Sequence, residues 1–174
     1  MLIYLDTMIV QYCVDYEDFV FGEITGHTVE CPASEPNFKR ELWALRQLIF
    51  LDQLGDWTYA CTTELLKELD GGKPTDEQHK VYVLLSEAWK DSGWSDAFPL
   101  QESEVTRIES SLERLNLRDS ADRRHLAEAI VLNASWLLTN DGEIIRKCEG
   151  QNLPLRVCRP SECLDEISVG LFLR

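Results

Sequence analysis

A chain of 174 residues, 44% hydrophobic and 28% charged, is long enough for one domain with a substantial core. Its formal net charge of −14 excludes a broad, charge-driven grip on nucleic acid, which needs clustered Lys and Arg. RNA or DNA would then be reached through bridging divalent cations or a basic partner. No apolar run is long enough to span a bilayer and no secretory leader is seen. The expectation is a cytoplasmic protein whose six cysteines, with no C-x-x-C pair among them, stay reduced.

In chain order, Leu2-Ile3-Tyr4-Leu5 is a buried strand that ends at Asp6-Thr7. An ionised carboxylate at the edge of a core is costly unless hydrogen-bonded or bound to a cation. Asp6 therefore either caps a helix starting at Thr7 or Met8, or holds a metal. Residues 7–21 predict a helix followed by a looser acidic, aromatic segment. Residues 22–37, with Gly22, Gly26, Pro32 and Pro36, predict a loop in which His27 and Cys31 are incidental.

Helical periodicity resumes over residues 38–54, with Leu42, Leu45, Leu48 and Ile49 inward and Lys39, Arg40 and Arg46 on a solvated face. Residues 57–61 read as a second strand. Thr62-Thr63 then caps a helix over 64–69, where Glu64 and Glu68 share a face. Residues 75–90 predict a helix, and 92–99 a link anchored by Trp94 and Phe98. Residues 102–117 predict another helix, packed through Val105, Ile108, Leu112 and Leu115.

The stretch from Asp119 to Lys147 carries the strongest pattern. Asp119 or Ser120 caps a helix whose inward stripe is Leu126, Ala129, Ile130 and Ala134, with Asp122 one turn earlier on that stripe. Trp136-Leu137-Leu138-Thr139 follows as a strand and Asn140-Asp141-Gly142 as a turn. Asp141 thus sits past the carboxyl end of a strand, where α/β sheets bind ligands. Taken singly, Asp122 reads as an ordinary first-turn acid and Asp141 as a turn residue; the rest of the chain shifts that reading. Residues 155–158 make a last strand, and a short helix starts over 160–164. Strands alternating with helices predict an α/β fold with a parallel sheet.

If the strands are parallel, Asp6, Glu68, Asp122 and Asp141 approach one edge of the sheet. Clustered carboxylates repel one another unless a cation is shared. Carboxylate and water ligands suit Mg²⁺ or Mn²⁺, which activate water and stabilise charge on a phosphodiester.

In Tyr4-Leu5-Asp6-Thr7, in Thr62-Thr63-Glu64-Leu65-Leu66-Lys67-Glu68-Leu69, in Asp122 followed by Leu126-Ala127-Glu128-Ala129, and in Leu138-Thr139-Asn140-Asp141, the chain resembles the PIN-domain nucleases. These include the toxins of bacterial toxin–antitoxin pairs. The motifs stand in the family's order across nearly the whole chain. The resemblance implies a single PIN-like domain over residues 1–174, a three-layer α/β/α fold with a central, mainly parallel sheet, and metal-dependent hydrolysis of RNA. By position it assigns Asp6, Glu68, Asp122 and Asp141 to Mg²⁺ or Mn²⁺, with Glu64 in reserve. Thr7, Thr139 and Arg123 become neighbouring groups on the substrate side, and Arg118, Arg123 and Arg124 either recognise RNA locally or are plain helix surface. An RNA substrate, an antitoxin protein and a homodimer are the implied partners. The chain departs from a compact PIN toxin in an inserted loop around 16–37 and in its acidity. Other readings left open are a non-catalytic PIN-like module binding RNA or protein, and a metal-dependent DNA nuclease or phosphatase.

Overall fold

An apolar run without alternation belongs in the middle of a sheet covered on both faces, and Leu2–Leu5 (β1) takes that place. The computed structural model describes residues 1–22, 30–52, 58–60, 62, 65, 68 and 100–172. In it β1 pairs with Thr58–Ala60 (β2) on one side and Trp136–Leu138 (β3) on the other. Arg156–Cys158 (β4) adds to β3, giving the order β2-β1-β3-β4 with every pairing parallel. The chain is thus mixed α/β with a four-stranded, all-parallel sheet among the described residues.

Parallel neighbours cannot be joined by tight turns, so helices make the crossovers. Thr7–Asp15 (α1), Glu17–Val20 (α2) and Pro36–Asp52 (α3) lie between β1 and β2. Glu102–Ser111 (α4) and Ser120–Val131 (α5) precede β3, Gly142–Cys148 (α6) joins β3 to β4, and Pro160–Phe172 (α7) follows. Helix α3 packs on α7, and α4 on α5. The chain runs from β1 toward β2 on one side and from β3 toward β4 on the other. The switch point therefore falls between β1 and β3, where the ends of an open α/β sheet leave a ligand crevice.

Several boundaries differ from the sequence expectation for local reasons. Helix α3 opens at Pro36 rather than residue 38, because proline needs no N–H partner in the first turn. The Glu35 carboxylate accepts the N–H groups of Asn37 and Phe38 at 3.1 and 2.6 Å. Helix α4 stops at Ser111, and a short 3-10 turn, Glu113–Leu115, closes on Asn116 at φ 51°. The looser segment after α1 contains the helical turn α2, whose Phe19 and Val20 are buried. The Asn140–Gly142 turn opens helix α6, and the last helix runs 13 residues instead of a short stub. The helix expected at 75–90, the link at 92–99, His27 and Glu64 lie outside the described residues. Cys13, Cys31, Cys148, Cys158 and Cys163 are buried free thiols. No helix among the described residues is long and apolar enough to cross a membrane.

One assignment to the solvated face is overturned. Lys39 and Arg40 are exposed, but Arg46 is only 2% exposed. Its guanidinium donates to the carbonyl of Phe19 and, at 2.8 Å, to that of Gly22. It also stacks over the rings of Phe19 and Phe50, 5.3 and 4.9 Å from their centroids. Helix periodicity cannot register this, because the acceptors belong to a segment more than twenty residues away. A side chain at Gly22 would meet the Asp18 carbonyl at 2.1 Å, so only glycine allows this approach. Arg46→Ala should destabilise the fold by about 3 kcal/mol, since it strands buried carbonyls and removes packing. A urea midpoint within error of wild type would contradict the anchoring role.

Candidate functional site

The end of β1 delivers Asp6 directly into the switch point. Its N–H continues the ladder to the Leu138 carbonyl at 3.0 Å, and its side chain is 5% exposed. One carboxylate oxygen accepts the Thr7 N–H at 2.8 Å, so Asp6 caps α1. The other accepts the Thr139 hydroxyl at 2.6 Å. Thr139 is fully buried, and its hydroxyl oxygen accepts the Asp141 N–H at 3.0 Å. Asp141 in turn caps α6, with Oδ1 accepting from Glu143 and Ile144 at 2.5 and 3.3 Å. Capping does not exhaust either carboxylate, which has about four acceptor positions. Burial raises the Asp6 pKa, while the hydrogen bonds from Thr139 and Thr7 and the nearby His125 oppose that rise.

Asp122 enters from the first turn of α5, whose N-cap is Asp119, accepting from Ala121 at 2.9 Å. Its pKa is pushed up to about 6, first by burial, then by the charges of Asp141, Asp6 and Asp119, against a lowering by His125. Asp6, Asp122 and Asp141 therefore share one electrostatic neighbourhood.

Glu68 stands slightly apart. Thr62 Oγ1 accepts the Leu65 N–H at 3.3 Å, and Leu65 and Glu68 are both helical. Glu68 Oε2 accepts the Thr7 hydroxyl at 3.0 Å and faces His125 Nε2 at 2.9 Å. Thr7 thus links two acids, giving its N–H to Asp6 and its hydroxyl to Glu68. Among the described residues, no three His, Cys, Asp or Glu side chains converge closely enough to hold an ion directly. Asp6, Asp141 and Glu68 are instead held by hydrogen-bond donors, with Thr7 shared between Asp6 and Glu68.

Behind these acids lies a buried polar cluster that sequence reasoning missed. Tyr4, Thr62, His125 and Glu128 are all at most 3% exposed. The hydroxyls of Tyr4 and Thr62 donate to Glu128 Oε2 at 3.0 and 2.6 Å, and Tyr4 also contacts His125 Nδ1 at 3.0 Å. Arg124 closes the cluster, donating to Glu128 at 2.8 Å and to both oxygens of Glu102 at 2.6 Å. These bonds hold its own pKa above the ordinary arginine value. The signal in the sequence was a polar stripe at three-residue spacing, Asp122, His125 and Glu128, on the inward side of α5. Glu128→Ala would strand two buried hydroxyls and part of a buried ion pair. A loss of about 3 kcal/mol is expected, read as a lower denaturation midpoint; an unchanged midpoint would contradict the network.

Two more arginines near the site lie close to acids. Arg118 lies 3.3 Å from Glu143, and Arg123 Nε lies 4.0 Å from Glu109. Glu68, Glu102, Glu109, Ser120, Ala121 and Arg124 line an open cleft of about 520 Å³ beside the site. No family model, curated protein or solved structure matches this chain.

Proposed function

We propose that the chain is a divalent-metal-dependent endoribonuclease on a three-layer α/β/α, PIN-like plan, in which Asp6, Asp122 and Asp141 hold Mg²⁺ or Mn²⁺. The observation that carries this reading is three aspartates at the switch point of a parallel sheet, where burial first and then the charges of Asp141 and Asp6 push Asp122 up to about 6. Such a group of like charges is relieved by a cation. The donors are hard oxygens, and the Asn140 side-chain oxygen, buried in the same turn, has no hydrogen-bond partner among the described residues. Mg²⁺ keeps several waters and takes one or two carboxylates plus substrate phosphate, so a cage of three direct ligands is not required.

When bound, the ion supplies an activated water and neutralises charge on the phosphodiester. The chain's own residues do the rest. Thr7 and Thr139 fix the two oxygens of Asp6. The first N–H groups of α6 fix Asp141. The adjoining cleft gives RNA a place to lie, with Arg123 at the same helix start as Asp122. At a net charge of −14, grip on RNA depends on the ion and on such local cations. Neutralisation by an antitoxin protein and pairing of two copies belong to the same reading.

The lack of a direct three-ligand group among the described residues favours a second reading, a non-catalytic module that binds RNA or protein. RNA, DNA and a phosphate monoester, each incubated with Mn²⁺ and then with EDTA, separate the alternatives. EDTA-sensitive internal cleavage of RNA is expected. Turnover of DNA or the monoester alone would reassign the substrate, and no turnover of any would support the module.

A further inference from the structure

His125 contacts Tyr4, Thr7 and Glu68 at the site, yet it is not one of the groups that the reading above assigns to the metal. It is 3% exposed, and it lies between Glu68 in front and Tyr4 behind. Nε2 faces a Glu68 carboxylate oxygen at 2.9 Å and the Thr7 hydroxyl at 3.2 Å. Against a carboxylate that nitrogen carries the hydrogen. Nδ1 meets the Tyr4 hydroxyl at 3.0 Å, and Tyr4 is tied to Glu128, which Thr62 and Arg124 also hold. The ring is therefore oriented from behind by a buried network and acts forward on one carboxylate. Glu68 is 32% exposed. Among the described residues, its contacts are a threonine already committed to Asp6 and this histidine.

We propose that His125 is a positioning residue: through Nε2 it fixes Glu68 beside Asp6, so that the fourth acid adds its charge to the three aspartates without entering their group. The inference rests on the metal-binding reading above, and deepens it by naming what places Glu68. Groups that orient the acids of a metal site in this way typically contribute about 10–100-fold in metal affinity or activity.

The two amide replacements distinguish this from a structural role. A glutamine can put its amide nitrogen where Nε2 stands, whereas an asparagine reaches only the place of Nδ1. The first measurement is Mn²⁺ affinity, by titration of the purified full chain with the metal alone. His125→Asn and Glu68→Gln should each weaken Mn²⁺ about tenfold or more. His125→Gln should stay within about threefold of wild type, and the double variant His125→Asn/Glu68→Gln should be no weaker than Glu68→Gln alone. Losses that multiply in the double variant, or equal losses for asparagine and glutamine at 125, would overturn the proposal.

The second measurement does not involve metal. The ring ¹⁵N shifts of His125, assigned against His125→Gln, should show a hydrogen-bonded Nε2–H in wild type and move in Glu68→Gln. Failure of wild type to bind Mn²⁺ would sink the metal reading alone. An Nε2 shift unmoved by Glu68→Gln would sink the positioning role. If His125→Asn does not fold, the glutamine variant and the wild-type ring shifts still decide it.

Discussion

Asp122→Asn should gain stability at neutral pH while losing cleavage. Asp122 has a folded-state pKa of about 6, above the ordinary 3.8 of an unfolded aspartate. The folded chain therefore holds this proton more tightly than the unfolded chain, and stability falls as pH rises between those two values. At face value the shift corresponds to about 3 kcal/mol at pH 7. Asp122 is only half-buried and solvent screens its neighbours, so about 1 kcal/mol is the realistic cost. Asparagine has nearly the same shape and no charge. It should raise the unfolding free energy by that amount at pH 7.5, and the gain should vanish below pH 4, where the wild-type carboxyl is protonated. Cleavage should fall about a thousandfold, because removing a ligand forfeits several kcal/mol of stabilisation at the phosphodiester. Urea unfolding at the two pH values, beside a cleavage assay, checks both directions. A variant less stable than wild type at pH 7.5 would mean that Asp122 is a structural acid.

Divalent metal should stabilise wild type much more than Asp6→Asn. At a hundredfold excess over its dissociation constant, a ligand specific for the folded state contributes about 2.7 kcal/mol. For a chain of this size that is a rise in Tm of about 5–10 °C. Asparagine preserves the cap on α1, since its side-chain oxygen can still accept the Thr7 N–H. The variant should therefore fold, and its Tm should rise by less than about 2 °C with Mn²⁺. Equal shifts in the two proteins would remove Asp6 from the site. The same shift should shrink below pH 6, where protons compete for Asp122.

How much of this was legible follows the range of each interaction. Strands β1, β3 and β4 announced themselves because a buried parallel strand is a short apolar run. Asp6 and Asp119 announced themselves because a cap needs only its next few N–H groups, whereas Asp141 read as a turn residue and its capping of α6 did not show. The acids were found by their place after strands or at a helix start. What they would do to each other was not, since it depends on strand order, which pairs β1 with β3 across 130 residues. Arg46, Glu128 and Glu41 were misread or passed over for the same reason. A charged side chain looks solvated until its distant partners are known: for Arg46 two carbonyls near α2, for Glu128 the hydroxyls of Tyr4 and Thr62, for Glu41 the Ser161 N–H and hydroxyl at the start of α7. His125 carries no direction in the sequence, and only the ring's contacts in the fold give it one.

The most direct measurement is cleavage of a mixed RNA pool by wild type and Asp122→Asn, side by side, in Mn²⁺ and in EDTA. Internal cuts by wild type in Mn²⁺ alone, with none from the variant, are the predicted result. Cleavage that persists in EDTA, or that Asp122→Asn performs as fast as wild type, would contradict a metal-dependent nuclease centred on these aspartates.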